Sequence, residues 1–234
     1  MFLIDLFNTI LYRPLFNILI LFYQYLPGHD FGIAIIVLTI LIRLILWPSM
    51  TKSIVSQKKL SQLQPKLKEI QKKYKGDLKR QNKETMELYK KEKINPMSGC
   101  LPLLIQLPIL IALFQVFIKG FQSEQMTQLY NFVHFSGTIN PYFLGILNLS
   151  LPSGVIAVFA GIFQFFQTKT QTPKVPKKQE DSTFKFSQIF QKQMTYFFPI
   201  ITVFFLLRLP AAIGLYWMIT SIFSIIQQRF VSIK

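Results

Sequence analysis

The sequence predicts an all-α polytopic membrane protein. The chain of 234 residues is 51% hydrophobic and 15% aromatic, and it contains several apolar runs that are too long for an ordinary water-soluble domain. Its 26 Lys and Arg residues outnumber its 10 Asp and Glu residues. Because the lysines lie between the apolar runs, the net charge of +16 does not indicate a nucleic-acid-binding face.

The first 30 residues are apolar but interrupted. Arg13 and Pro14 are expected to break the run, and the stretch from Leu15 to Leu26 is shorter than the ~20 apolar residues that cross a bilayer. The sequence therefore favours an amphipathic helix that lies on the external membrane surface over a spanning helix in residues 1–30.

Five later runs meet or approach the length that a bilayer requires. The predicted spanning helices occupy residues 31–50, 99–118, 151–168, 194–209 and 210–231. The segments between and after them are predicted as a cytoplasmic basic helical hairpin (51–98), an external loop (119–150), a cytoplasmic loop (169–193) and a cytoplasmic C-terminus (232–234).

The orientation follows from the distribution of basic residues. The segment from Lys52 to Lys93 holds 14 Lys and Arg residues, and the segment from Lys169 to Lys192 holds six. The segment from Lys119 to Ser150 holds one. Since positively charged loops stay in the cytoplasm, the N-terminus is predicted outside and the C-terminus inside.

The first cytoplasmic segment has the pattern of a helical hairpin. Apolar residues recur at alternating spacings of three and four, which indicates one face of a helix: Leu60, Leu63, Leu67, Ile70 and Tyr74. Gly76 and Asp77 are expected to end this helix, and a second, weaker helix follows. The hairpin is either a solvated linker or a docking arm near anionic lipid or the ribosome.

Arg43 is the one charge in the apolar run from Ile35 to Met50. An arginine at a helix centre costs at least about 2.5–3.5 kcal/mol. The simpler explanation of a charge at this position is that the Arg43 side chain extends toward the cytoplasmic membrane surface near Met50, about 10 Å away along the helix. Thr39 and Trp47 lie one turn on either side, and no predicted span contains Asp or Glu. The pattern therefore favours a hydrated cavity, open to the cytoplasm, with room for an anionic guest.

Uncharged polar residues occur in other predicted spans: Gln106, Gln115, Gln164, Gln167, Tyr216 and Trp217.

Metal and nucleotide sites are not expected. Cys100 is the single cysteine, His29 and His134 have no partners at metal-ligand spacing, and no phosphate-binding loop motif occurs. No cofactor is predicted, and the chain is not expected to be an enzyme.

The chain resembles the YidC/Oxa/Alb family of membrane protein insertases in four segments, which occur in this order: "TILIRLILWP", "LQPKLKEIQKKYKGD", "NPMSGCLPLLIQLPILIALFQVF" and "FPIITVFFLLRLPAAIGLYWMITSIFSIIQQ". The resemblance implies an insertase of the bacterial plasma membrane that needs no nucleotide. Its partners would be nascent membrane proteins and the lipid bilayer, with the ribosome and the Sec translocon as further candidates.

The resemblance also implies a site. In this family a hydrophilic groove, open to cytoplasm and lipid, receives the short and often acidic external tail of a substrate. The substrate's apolar segment then leaves sideways into lipid. Together with the stripe around Arg43, the resemblance suggests a groove lined by Arg43, Thr39, Trp47, Gln106, Gln164, Tyr216 and Trp217. The basic hairpin would recruit substrate through Lys58, Lys59, Lys66, Lys72 and Lys73.

Two other classes of function stay open. The chain can be a small transporter or channel subunit with Arg43 as an anion site, or a structural assembly factor without insertion activity. Transporters often contain two similar halves with broken helices, and the sequence shows no such symmetry.

Overall fold

The computed structural model describes residues 2–95, 101–120, 123–135, 137–171 and 193–233. Within these ranges the regular secondary structure is helical apart from one short β-hairpin, which agrees with the predicted fold class. Its α-helices are α1 (Phe2–Phe7), α2 (Arg13–Tyr25), α3 (Phe31–Lys73), α4 (Leu78–Lys91), α5 (Leu101–Lys119), α6 (Gly154–Gln171), α7 (Phe198–Leu206) and α8 (Ala211–Ile233).

The N-terminal helix does not break at Arg13 and Pro14, so that prediction is wrong. A π-helical stretch, Asn8–Tyr12, joins α1 to α2, and the Arg13 N–H donates to the carbonyl oxygen of Asn8. The wider turn lies directly before Pro14, where a regular helix would bring the proline ring against a carbonyl group. The result is a helix from Ile4 to Tyr25 that is long and apolar enough to cross a membrane.

The polar contacts of this N-terminal helix are nevertheless with the loop that follows α5. Three side chains spread along the helix donate to it: Tyr12 Oη to Gln125 Oε1 (2.6 Å), Asn17 Nδ2 to the Gln128 carbonyl (3.2 Å) and Gln24 Nε2 to the His134 carbonyl (3.0 Å). These contacts favour a helix that lies along the loop, as an interfacial helix would. The interfacial placement itself stays a prediction.

Helix α3 is much longer than the predicted span of residues 31–50. It starts at Phe31, as predicted, where the Asp30 carboxylate accepts from the Ile33 N–H at 2.9 Å. It then continues for 43 residues through Pro48 and Pro65, which gives about 64 Å at 1.5 Å per residue. The first arm of the basic hairpin is therefore a direct extension of the spanning helix, and the boundary at residue 50 stays a prediction.

The hairpin turns at Gly76 and Asp77, which confirms the predicted break. Gly76 adopts a φ of +94°, and the Asp77 carboxylate caps α4 by accepting from a backbone N–H at 3.0 Å. Helix α4 folds back on α3 through an ion pair between Lys66 and Glu92 at 2.6 Å. The hydrogen bond from Lys66 holds the pKa of Glu92 below its usual value.

Helices α6, α7 and α8 pack together, and α8 also packs along α3. Gly161 of α6 lies directly against Val203 of α7, and Gly214 of α8 lies against Ile156 of α6. Small residues at such positions let helix backbones approach closely within a membrane. The interface therefore depends on close packing rather than on ionic contacts.

The spanning helices differ in length from the prediction. Among the described residues, three helices are long and apolar enough to cross a membrane: Ile4–Tyr25, Phe31–Lys73 and Ala211–Val231. The apolar helices Leu104–Lys119 and Thr195–Leu206 are shorter. Helix α6 begins three residues later than predicted, and the next helical segment ends at Leu206 rather than at 209. Five crossings therefore stay a prediction.

The loop between α5 and α6 contains a β-hairpin that the sequence did not predict. Strand β1 (Tyr142–Phe143) pairs antiparallel with strand β2 (Leu147–Asn148). The segment after it docks on the start of α8, where the Ala211 and Ala212 N–H groups donate to the carbonyls of Leu151 and Leu149 at 2.9 and 3.0 Å. The loop therefore covers the end of the bundle at which α3, α6 and α8 begin.

Candidate functional site

The buried side chains change from apolar to polar along the bundle. At the start of α8 they are apolar (Ala211, Ala212, Ile213 and Leu215), whereas farther along they are Thr220, Ser221, Ser224, Gln227 and Gln228. Helix α6 changes from Ile156, Ala157 and Ala160 to Gln164. Helix α5 runs the other way, and its buried Leu113, Val116 and Phe117 come after the half-buried Gln106. On these three helices the loop-covered end is therefore apolar inside, and the end toward the basic hairpin is polar inside.

Arg43 lies at the border between these two halves. Its side chain is 6% exposed, and Nη2 donates to Gln106 Oε1 at 3.0 Å. The Gln106 amide in turn donates to the Tyr216 hydroxyl. A buried guanidinium with a partner on another helix does not fit a side chain extended to the membrane surface. The chain Arg43–Gln106–Tyr216 instead joins α3, α5 and α8.

The partner of Arg43 is neutral. No Asp or Glu among the described residues pairs with it. The guanidinium is, however, more enclosed than the predicted water-filled cavity would leave it, because Gln106 occupies the position beside it. The positive charge of Arg43 is thus hydrogen-bonded but not neutralised by the described part of the chain.

Two further predicted groove residues form a separate pair. Trp217 Nε1 donates to Gln164 Oε1 at 3.1 Å, and Gln164 is buried on α6. Since Trp217 follows Tyr216 directly on α8, this pair lies beside the Arg43 chain. Thr39 is also buried, but its hydroxyl donates to the Ile35 carbonyl at 2.6 Å within its own helix.

Trp47, another predicted groove residue, contacts α8. Its indole packs edge-on against Phe223 with ring centroids 5.6 Å apart. Its carbonyl oxygen accepts from Gln227 Nε2 at 3.1 Å, and the same amide donates to Thr51 Oγ1 at 3.1 Å. Trp47 therefore contributes to the α3–α8 interface beside Pro48, and no described contact joins it to Arg43.

Sequence reasoning missed the polar stripe on the second half of α8, which consists of Thr220, Ser221, Ser224, Gln227 and Gln228. Within the described residues, three of its buried oxygens have no hydrogen-bond partner: Thr220 Oγ1, Ser221 Oγ and Gln228 Oε1. Leaving a buried polar atom unsatisfied costs about 1–3 kcal/mol, so such atoms generally bind water or a ligand group. The spacing of three and four residues in "TSIFSIIQQ" was the available signal.

The 60Kd inner membrane protein family model matches residues 21–234 of this chain. The chain belongs to that family. The match covers every residue of the polar site described above, from Thr39 to Gln228. It confirms the resemblance that the four sequence segments indicated.

Relatives of this chain carry the name membrane protein insertase YidC. The protein of Wolinella succinogenes is 35% identical over 226 residues, which cover 97% of this chain and 38% of the relative. The protein of Campylobacter jejuni is 33% identical over 220 residues (94% and 37%), and that of Syntrophobacter fumaroxidans is 32% identical over 238 residues (96% and 38%). The chain thus spans less than two fifths of these relatives' length. With its apolar helices, it is a multi-pass protein of the bacterial inner membrane.

The five lysines predicted for recruitment in this family member do not form one compact site. All are exposed, and they are spread along α3: Lys58, Lys59, Lys66, Lys72 and Lys73. Lys58 Nζ donates to the Val231 carbonyl at the end of α8 (3.3 Å), whereas Lys73 lies near the hairpin turn. Fifteen positions separate these two, or about 22 Å of helix. The lysines therefore form a basic arm.

A cavity of about 630 Å³ lies away from Arg43, beside the last turns of α5. Its lining includes Tyr12, Gln115, Lys119 and Gln125. Gln115, a polar residue of the second predicted span, therefore faces this cavity at the loop-covered end rather than the polar site. It is a natural control position for changes made at Gln106, nine residues earlier on the same helix.

The chemistry available at the polar site is binding by charge and hydrogen bonds. No group of three or more metal-ligating side chains occurs among the described residues. A guanidinium carries five N–H donors in a planar fork that matches a carboxylate, and the structure directs one of the Arg43 donors to Gln106. The site can therefore bind an anionic group if that group approaches from the polar half of the bundle.

Proposed function

We propose that this chain is a membrane protein insertase whose polar half-bundle forms a groove for the acidic or polar tail of a nascent membrane protein. Arg43 is the anion-binding residue, and Gln106, Gln164, Tyr216 and Trp217 line the groove around it. The observation that carries the proposal is the change from apolar to polar burial along α5, α6 and α8, with Arg43 at the border. This change describes a path that is polar at the hairpin end and sealed by apolar packing at the other.

The energetics match a site that holds its guest briefly. Entry of an apolar segment into lipid is favourable by about 0.8 kcal/mol per CH₂ group, so the polar tail is the obstacle. A carboxylate 4 Å from Arg43 gains about 4 kcal/mol at an effective dielectric constant near 20. This gain is large enough to retain a tail and small enough to release it once the apolar segment has moved into lipid.

The neutral partner of Arg43 supports this role. A hydrogen bond to a charged group contributes about 1.5–3 kcal/mol, which is less than the gain from an incoming carboxylate. A substrate carboxylate can therefore displace the Gln106 amide oxygen. An internal Asp or Glu in the same place would neutralise Arg43 permanently and leave no charge for the guest.

The remaining elements fit the same reaction. The N-terminus lies outside and the C-terminus in the cytoplasm, so the basic arm of α3 and α4 is cytoplasmic and attracts acidic substrate segments and anionic lipid. The apolar helix Thr195–Leu206 has 12 residues, or about 18 Å, against a hydrocarbon core of ~30 Å. A short helix thins the bilayer locally and shortens the path of the tail. The ribosome and the Sec translocon stay predicted partners.

The test is insertion into proteoliposomes of a small membrane protein with a short acidic external tail. Arg43→Ala should abolish insertion, whereas Arg43→Lys should retain part of it because the charge remains. Arg208→Ala is the matched control. It also removes one positive charge, but from an exposed arginine that stacks on Phe204 at 5.0 Å. Normal insertion by the Arg43→Ala variant would contradict the proposal.

The same vesicles distinguish the alternative functions. A transporter or channel subunit would carry anions across the vesicle membrane without any protein substrate, and that flux would depend on Arg43. A structural assembly factor would show neither flux nor insertion with the purified chain. The insertase proposal requires insertion without substrate-independent flux.

A further inference from the structure

The tip of the β-hairpin is an apolar feature without a role in the polar site. Residues 144–146 connect β1 to β2, and the Ile146 N–H donates to the Phe143 carbonyl at 3.0 Å. Leu144 and Gly145 both have positive φ values, +52° and +70°. Two central residues with positive φ define a type I′ turn, a position pair that favours Asn and Gly.

Leu144 is therefore an unfavourable residue for its backbone conformation. A bulky L-residue rarely adopts the left-handed region, because its Cβ approaches the following carbonyl oxygen. Strain of this kind persists where the side chain has a use. The use is not packing within the described chain, because Leu144 is 62% exposed and Ile146 is 85% exposed.

The hairpin is fixed to the first turn of α3. The Leu144 N–H donates to Asp30 Oδ2 at 2.5 Å, while the other oxygen of the same carboxylate caps α3. The ring of Phe143 packs directly on Gly32, so closely that a Cβ there would overlap it. The hairpin therefore lies directly beside the first turn of the spanning helix.

We propose that Leu144 and Ile146 insert into the bilayer leaflet at which α3 begins and anchor the loop-covered end of the bundle to lipid. This contact requires that α3 spans the membrane, but it does not depend on the insertase function. The whole segment from Pro141 to Pro152 carries no charged residue, so the inserting tip itself brings no charged side chain into lipid. Tyr142 flanks the tip, and tyrosine is enriched at membrane interfaces.

Site-directed spin labelling of the full chain in phosphatidylcholine vesicles tests the proposal. Cys100→Ser removes the only native cysteine, and a nitroxide is attached through Ile146→Cys or, as control, through Thr138→Cys, an exposed polar position of the same loop. Lipid-soluble oxygen should relax the label at 146 more strongly than a water-soluble nickel complex, and the order should reverse at 138.

Two results would overturn the proposal. Stronger relaxation by nickel at 146 would place the tip in water. Protection from both reagents would place it against protein, either a second copy or another partner.

A second variant distinguishes a lipid contact of the Leu144 side chain from a purely structural role in the turn. Leu144→Asn suits the type I′ turn, so the hairpin should keep its fold and the thermal unfolding temperature should not fall. The label at 146 should nevertheless move toward water, because half of the apolar tip is lost. An unchanged depth of the label at 146 in this variant would contradict the role of Leu144.

Discussion

Replacing Gln106 by glutamate should inactivate the proposed anion site while changing only one amide group. Gln106 Oε1 lies 3.0 Å from Arg43 Nη2, so Gln106→Glu places a permanent carboxylate against the guanidinium. At that distance and an effective dielectric constant near 20, the attraction is about 5.5 kcal/mol. A substrate carboxylate at 4 Å gains about 4 kcal/mol. The built-in carboxylate should therefore exclude the guest.

The assay is insertion of a small membrane protein with an acidic external tail into proteoliposomes. Insertion by Gln106→Glu should fall at least tenfold, which corresponds to a loss of about 1.4 kcal/mol or more. A version of the substrate with a neutral tail should be affected much less, because it does not need the charge. Gln115→Glu is the matched control, since it makes the same change about 13.5 Å farther along α5, at the other cavity.

Normal insertion of the acidic substrate by Gln106→Glu would contradict the role of Arg43 as an anion site, because a neutralised arginine would then serve as well as a charged one. Equal losses from Gln106→Glu and Gln115→Glu would also refute it, since any buried negative charge on α5 would then explain the effect. Folding of both variants is checked by their thermal unfolding in detergent.

The remaining predictions concern stability. Gly32→Ala should destabilise the protein by about 1–3 kcal/mol in thermal unfolding, because its Cβ overlaps a ring, whereas Gly154→Ala, with its nearest contact at 3.7 Å, should not. Gln227→Leu should lower the free energy of unfolding, because it removes two hydrogen bonds of about 0.5–1.5 kcal/mol each. Gln228→Leu removes an unpaired oxygen and should leave the free energy of unfolding unchanged or raise it. The lysine partner lowers the folded-state pKa of Glu92. The contribution of the Lys66–Glu92 pair to the stability of the hairpin is therefore full above the unfolded pKa of about 4.3 and is lost as the pH falls through the lowered folded-state pKa. The hairpin's NMR shifts should follow this loss, and Glu92→Gln should abolish their pH dependence.

The sequence predicted the fold class and the start of α3 because long apolar runs are a local signal. It failed at proline. Pro14 was read as a break, yet the N-terminal helix continues through it. A proline removes one hydrogen bond, and packing on neighbouring elements over many residues outweighs that loss. Such packing is not visible in a single sequence.

The candidate site was predicted unevenly for a related reason. Arg43 stood out because a charge in an apolar run is costly, and the structure joins it to Gln106 and Tyr216 as two of the expected neighbours. The serines, threonine and glutamines of the α8 stripe carry no charge, so they contrast little with their apolar surroundings. Trp47 was placed by helix spacing alone. The position of α8 decides which side of Trp47 is covered, and a single sequence does not show how two helices pack against each other.

Cross-linking measures most directly whether a substrate tail reaches Arg43. With Cys100 replaced by Ser, one cysteine is placed at Gln106, the partner of Arg43, or at Leu107, the exposed neighbour on the same helix, and one in the acidic tail of a stalled nascent chain. We expect a disulfide to position 106 and little to 107, with the adduct at 106 lost when the tail is made neutral. Equal adducts at both positions, or an adduct at 106 that ignores the charge of the tail, would contradict it.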